Sequence, residues 1–191
     1  EGVRAPATRA YRALLLFTAA VLAGSLRPAV VAAVEPQAIG RLGFASVSSF
    51  AYSPTNDLLA VSASAVSGLY EVRILDATTG TPVFMIPAAY RNPAFSWDGK
   101  TVASGVFDGA QTYIALWDTE LGRETARFTG DAHALAFSPD GSVLASSLRG
   151  ITLWNIAARE ETAVLIGHNS SSSLAFSPDG RILASGDDTV K

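Results

Sequence analysis

A seven-residue phrase recurs in this chain: Leu135–Gly141 reads LAFSPDG, and Leu174–Gly180 repeats it without a change. A looser copy, FSWDG, spans Phe95–Gly99, and a looser one still, YSPTN, spans Tyr52–Asn56. Their aromatic residues, Tyr52, Phe95, Phe137 and Phe176, fall at intervals of 43, 42 and 39 residues. Self-similarity at a fixed period means that one supersecondary unit recurs and that neighbouring units bury each other's apolar faces.

Each repeat has the grammar of antiparallel strands. In the third, Ala134–Ser138 is a short apolar strand ending in Ser-Pro-Asp-Gly. Ser first, Pro second and Gly fourth fit a type I turn, with Pro presetting φ. Val143–Ser147 returns, completing a hairpin, and Gly150–Asn155 follows with Ile151, Leu153 and Asn155 on one face and Thr152 and Trp154 on the other. Glu161–Ile166 is the fourth strand. The other second strands are Leu58–Ser62, Thr101–Gly105 and Ile182–Gly186; the other outer strands are Thr81–Ile86 and Arg123–Phe128. Ala60, Ala103, Ala145 and Ala184 place small residues where a blade is most crowded. A lone hairpin is marginal in water, so the units must stack face to face. About 40–45 residues is the length of one four-stranded propeller blade. No helix of consequence is expected after residue 34.

The combination of FSPDG, LASG and LWD at a period near 40 resembles the WD-repeat β-propeller family, over about residues 38 to 191. The family's Trp-Asp pair is intact at Trp117-Asp118 and nearly so at Trp154-Asn155, while Leu75-Asp76 lacks the Trp. Its Gly-His pair is matched by Gly167-His168; Gly43-Phe44 has Phe where His is expected. The resemblance implies an all-β fold: an incomplete β-propeller of four-stranded antiparallel blades, behind an N-terminal apolar, helical leader. The blades are expected at roughly 45–86, 88–128, 132–166 and 170–191, the last truncated, with 38–43 an outer strand for ring closure. On this reading the chain is the N-terminal fragment of a longer propeller. Blades of this family are often stapled by a hydrogen-bonded His, Ser or Thr, Asp and Trp. None here holds all four: the second offers Ser104, Asp108 and Trp117, the third Ser146 or Ser147 with Trp154, the fourth His168, Ser185 and Asp187 or Asp188.

The first 33 residues follow a different pattern. Arg4, Arg9 and Arg12 precede an apolar run from Ala13 to Ala23, and a small-residue stretch ends at Ala33. These are the three parts of a secretory signal, with cleavage expected after Ala33. The run is short for a bilayer span of about 20 residues, and extending it to Val34 would bury Arg27. A membrane anchor over residues 13–34 is the alternative. Without residues 1–33 the chain has 10 Lys+Arg against 16 Asp+Glu, a net charge of −6. That sign argues against nucleic acid as a partner.

Reactive chemistry is scarce. The chain has no cysteine and two histidines, which gives no zinc set. His168 reads as a blade staple and His133 as a loop residue. Asp140 and Asp179 read as turn residues, Asp76 and Asp118 as strand ends, and Asp187-Asp188 as a turn. Ser170–Ser173 has neither a base nor a nucleophile elbow beside it. No catalytic, cofactor or metal residue is therefore expected. The resulting expectation is a non-enzymatic protein–protein interaction scaffold, exported or membrane-tethered, with other proteins as partners and membrane contact only through an uncleaved leader. The rival is an exported enzyme or ligand-binding propeller whose active residues or catalytic domain lie beyond Lys191.

Overall fold

The computed structural model describes residues 46–64, 70–89, 92–130, 132–148, 150–166 and 173–186. The leader, the 38–43 strand, Gly167-His168 and Asp187-Asp188 lie outside the described residues. Within them the chain is all β. The first sheet is β1 (Ser46–Tyr52), β2 (Leu58–Ser64), β3 (Tyr70–Asp76) and β4 (Pro82–Pro87). The second is β5 (Ala94–Phe95), β6 (Thr101–Phe107), β7 (Thr112–Asp118) and β8 (Arg123–Thr129). The third is β9 (Ala134–Phe137), β10 (Val143–Ser147), β11 (Ile151–Asn155) and β12 (Glu160–Leu165); a fourth is described as the hairpin β13 (Ser173–Phe176) and β14 (Leu183–Gly186). Every pairing is antiparallel between neighbours in sequence, the pattern that hairpin turns dictate.

Side chains alternate between faces along a strand, so each sheet has two apolar faces to cover. Between the first two sheets, Ala60, Val72, Ile74 and Ile86 meet Phe95, Val102, Tyr113 and Ala115. Between the second and third, Ala103, Ile114, Leu116 and Phe128 meet Leu135, Phe137, Leu144 and Trp154. Phe95 and Phe137 thus occupy matching seats, each paired with the second residue of the returning strand, Val102 or Leu144. Fully buried Ile74, Ile86, Ile114, Leu116 and Leu144 each contribute roughly 1.5–3 kcal/mol, an upper bound because the unfolded chain is partly collapsed. The first strands of successive sheets lie side by side, β1 by β5, β5 by β9 and β9 by β13, so they form the inner edge of the stack.

Two details repeat from sheet to sheet. A register shift falls at Ile74/Leu75, Leu116/Trp117 and Leu153/Trp154, the same point in each third strand. Such bulges sharpen the strand twist, which splays the outer edge away from the inner one. The turn after it closes Gly80 N–H onto Asp76 O, Gly122 onto Asp118 and Arg159 onto Asn155. All three closing residues have positive φ, and Arg159 (φ 59°) carries a side chain where the others are glycine. Left-handed backbone costs a non-glycine residue about 1–2 kcal/mol.

The small-residue expectation holds for Ala60, Ala103 and Ala145, which are fully buried, and fails for Ala184, which is exposed because no described sheet packs on its face. Tyr52 differs from Phe95 and Phe137 for the related reason that it sits on the outward face of the first sheet, 55% exposed.

Candidate functional site: the turn end of the blades

Turns β1–β2 and β3–β4, and their counterparts in later sheets, emerge at the same end of each sheet. Backbone bonds tie them together: Ala77 N–H to Asp57 O (2.8 Å), Thr119 N–H to Lys100 O (3.0 Å) and Ile156 N–H to Ser142 O (3.0 Å).

The repeated Ser-x-Asp-Gly turn explains its own composition. Ser138 Oγ donates to Asp140 Oδ1 (2.6 Å) and accepts from Val143 N–H (2.9 Å), while Asp140 Oδ1 also accepts from Ser142 N–H (3.1 Å). The same set recurs at Ser96, Asp98, Lys100 and Thr101, and at Ser177, Asp179, Arg181 and Ile182. Gly141 N–H bonds Ser138 O (2.9 Å), which closes the expected turn. Hydrogen bonds to a carboxylate favour its charged form. The Ser138 hydroxyl, then the Ser142 backbone and side chain, hold Asp140 down to about 2, and the corresponding serine is the largest cause of the lowered values of Asp98 and Asp179.

The weak first copy does a different job. Thr55 Oγ1 donates to Asp98 O (2.7 Å) and Asn56 Nδ2 to Gly99 O (3.1 Å), so the first turn braces the second. Thr119 Oγ1 donates to Gly99 O as well (2.8 Å). In the outer turns, Asp76 Oδ1 accepts from Thr78 and Thr79 N–H, Asp118 Oδ1 from Glu120 and Leu121 N–H, and Asn155 Oδ1 from Ala158 N–H. The Asp of the Trp-Asp pair is a turn cap.

The staples depart from expectation in the second sheet. Trp154 Nε1 donates to Ser146 Oγ (2.8 Å), and its ring leans on Phe128 with centroids 5.2 Å apart. Trp117 Nε1 is buried without a partner, because its ring is stacked against Phe84 (6.3 Å) and not turned onto Ser104. Asp108 caps its own loop through Ala110 and Gln111 N–H (2.9 Å each) and takes no part in a staple. Ser147 Oγ accepts from Ala134 N–H (3.1 Å), so Ser146 and not Ser147 serves Trp154. His133 is held through its backbone, N–H to Ser147 O and O from Asn92 Nδ2, as expected of a loop residue.

Sequence reasoning missed an aromatic–ion cluster on β7 and β8. Arg127 lies 3.7 Å over the buried Tyr113 ring and makes a two-pronged bond to Glu124 (2.8 and 3.0 Å). The alternation in Arg123–Thr129, read only as an outer strand, carries that signal. Among the described residues no group of three or more His, Cys, Asp or Glu could hold a metal ion, and no helix is long and apolar enough to cross a membrane. A cleft of about 260 Å³ lies beside Ser146, Thr152 and Trp154, with Glu161 as the titratable group of its lining among the described residues.

The turn end is acidic. Residues 53–58, 76–82, 96–101, 118–123, 138–143, 155–160 and 177–182 carry eight Asp+Glu against four Lys+Arg.

Stacked four-stranded antiparallel sheets with their first strands side by side define a β-propeller architecture. Residues 159–191 match the model of the WD domain, G-beta repeat family. The fold is similar to the crystal structure of RRP9 WD40 repeats, with a TM-score of 0.59 at 20% identity, covering 73% of this chain and 44% of that one. It is equally similar to the structure of U3-55K, with a TM-score of 0.59 at 20% identity, covering 73% of this chain and 45% of that one. The chain therefore spans less than half the length of these propellers. No curated protein sequence matches it.

Proposed function

We propose that this chain is a non-enzymatic scaffold of WD-repeat type that binds other proteins, and that it works exported from the cytoplasm or tethered to a membrane by residues 13–34. The observation that carries the scaffold reading is the use made of its polar groups. The carboxylates of Asp76, Asp98, Asp118, Asp140 and Asp179 accept backbone bonds that fix turns. What results is a rigid stack that presents turns, and rigid loops on a packed frame are suited to recognition. Export is supported by Arg4, Arg9 and Arg12 ahead of the apolar run and by the small residues ending at Ala33.

The test is crosslinking of the tagged, full-length protein in the cell that makes it, with mass spectrometry of the adducts. Discrete proteins reproducibly joined at the turn-end Lys100 are expected; adducts confined to the chain itself would overturn the scaffold reading. N-terminal mass measurement of the exported form should begin after Ala33, and an intact Arg12 on it would exclude cleavage.

A further inference from the structure

We propose that Trp97 and Leu121, at the tips of two abutting turns of the second sheet, form a docking site for a basic, amphipathic segment of a partner protein. This rests on the scaffold reading and names the surface and the chemistry through which it acts.

The starting observation is a departure from the repeat. Trp97 occupies the turn position filled by Pro54, Pro139 and Pro178. Pro139 packs over the next turn, 3.4 Å from where a Cβ on Gly180 would stand. Trp97 does not do the same: a Cβ on Gly141 would meet nothing within 4 Å. Its side chain is 45% exposed, whereas the ring pairs of the described residues belong to Trp117 and Trp154. A large aromatic has replaced a residue that would have preset the turn.

The turn beneath it is held more firmly than its counterparts to compensate. Besides the Ser96–Asp98 set, its carbonyls accept from Thr55, Asn56 and Thr119. Leu121, 58% exposed, tips the neighbouring turn, its N–H bonded to Asp118 Oδ1 (2.8 Å). Thr119 bonds to Lys100 and Gly99 bind the two turns together, so their tips stand about two strand spacings apart, roughly 10 Å. Apolar anchors on fixed backbone lose little freedom when a partner covers them, and Trp is the residue most enriched among binding hot spots.

Charge selects the partner. Asp98, Asp118 and Glu120 flank the two anchors against Lys100 and Arg123 on the same turns, a net negative balance on an end that carries eight acidic groups to four basic. A segment with Lys or Arg between apolar residues places its apolar groups on Trp97 and Leu121 and its cations among these carboxylates. Phosphate backbones meet repulsion on the same surface.

Trp97→Pro is the decisive variant, because it restores the proline of the other turns and removes the anchor without threatening the fold. The full chain is titrated against a fluorescently labelled short peptide alternating Arg and Leu, with a Glu and Leu peptide as the control. Saturable binding of the basic peptide is expected, weakening as salt rises from roughly 0.05 to 0.5 M. Trp97→Pro should keep the melting temperature and lose at least about tenfold in affinity, and Leu121→Ser should weaken binding in the same direction. Equal binding of the acidic peptide, equal affinity of Trp97→Pro, or no binding to the unsubstituted chain would each overturn the site. In the cell, partners crosslinked equally to the Trp97→Pro protein overturn this site and leave the scaffold reading standing; absence of any crosslinked partner overturns both.

Discussion

Replacing the two interblade tryptophans by phenylalanine should give very different costs, and the difference can be worked from their surroundings. Trp154 is 8% exposed, leans on Phe128 and satisfies the buried Ser146 hydroxyl. Trp154→Phe removes part of the ring, on the order of 1 kcal/mol at about 25 cal/mol per Å² of apolar surface. It also leaves the buried Ser146 Oγ without its partner at the edge of the cleft, which adds about 1–3 kcal/mol. The expected total is about 2–4 kcal/mol. Trp117→Phe loses similar ring area but removes a buried N–H that has no partner, so the two effects offset and the net change should stay within about 1 kcal/mol. Urea unfolding of the whole chain, followed by far-ultraviolet circular dichroism with slopes compared between variants, measures both. Ser146→Ala alone should also be costly. Combined with Trp154→Phe it should cost less than the sum by about 1 kcal/mol, since both partners then leave together. Equal losses for the two tryptophans, or strict additivity in the cycle, would contradict the Trp154–Ser146 pairing as the source of the difference.

Other substitutions probe the turns and the core. Gly99 and Gly141 have nearly the same φ (69° and 71°), so alanine strains each by about 1–2 kcal/mol. A Cβ on Gly99 would in addition collide with Thr55 Oγ1 and lie 2.7 Å from Ser53 Oγ, so Gly99→Ala should cost at least about 1 kcal/mol more than Gly141→Ala in chemical denaturation. Ile114→Ala, at a fully buried site between the second and third sheets, should lose about 2–5 kcal/mol by the same measurement. Arg159→Gly should gain about 1 kcal/mol in thermal melts by releasing left-handed strain, unless the Arg159 bond to Thr125 O (3.0 Å) is worth more, which a loss would reveal. Asp140 titrates at about 2 when folded, below the usual carboxylate value, so its contribution is full above that usual value and is lost as pH falls through about 2. Asp140→Asn should therefore lower the melting temperature at neutral pH, with the gap closing as pH approaches 2.

The repeated phrase carried most of the fold because its residues are self-contained: Ser, Asp and Gly of each turn bond within a few residues of one another, so their positions in sequence are their positions in space. The blade faces were legible for the same reason, since strand alternation assigns Trp154 and Ile151 to opposite faces without long-range information. The orientation of Trp117 was not legible. Its choice of Phe84 over Ser104 depends on a side chain in the preceding sheet, 33 residues away. The bracing of the Gly99 turn by Thr55 and Asn56 was hidden likewise, because the weak first copy shows only that the Asp and Gly are missing and not what their replacements reach. The exposure of Trp97 was foreshadowed by FSWDG, where Trp takes the proline position, but whether a ring there packs or projects is decided by the neighbouring turn.

Successive modules are equivalent wedges stacked face to face, and nuclear Overhauser contacts between rings in solution test that equivalence. Selective labelling of Phe and Trp in the whole chain should give cross-peaks from Phe84 to Trp117 and from Phe128 to Trp154, with a slowly exchanging indole N–H at Trp154 and a fast one at Trp97. Absence of both cross-sheet pairs, or a Trp154 indole exchanging as fast as that of Trp97, would contradict it.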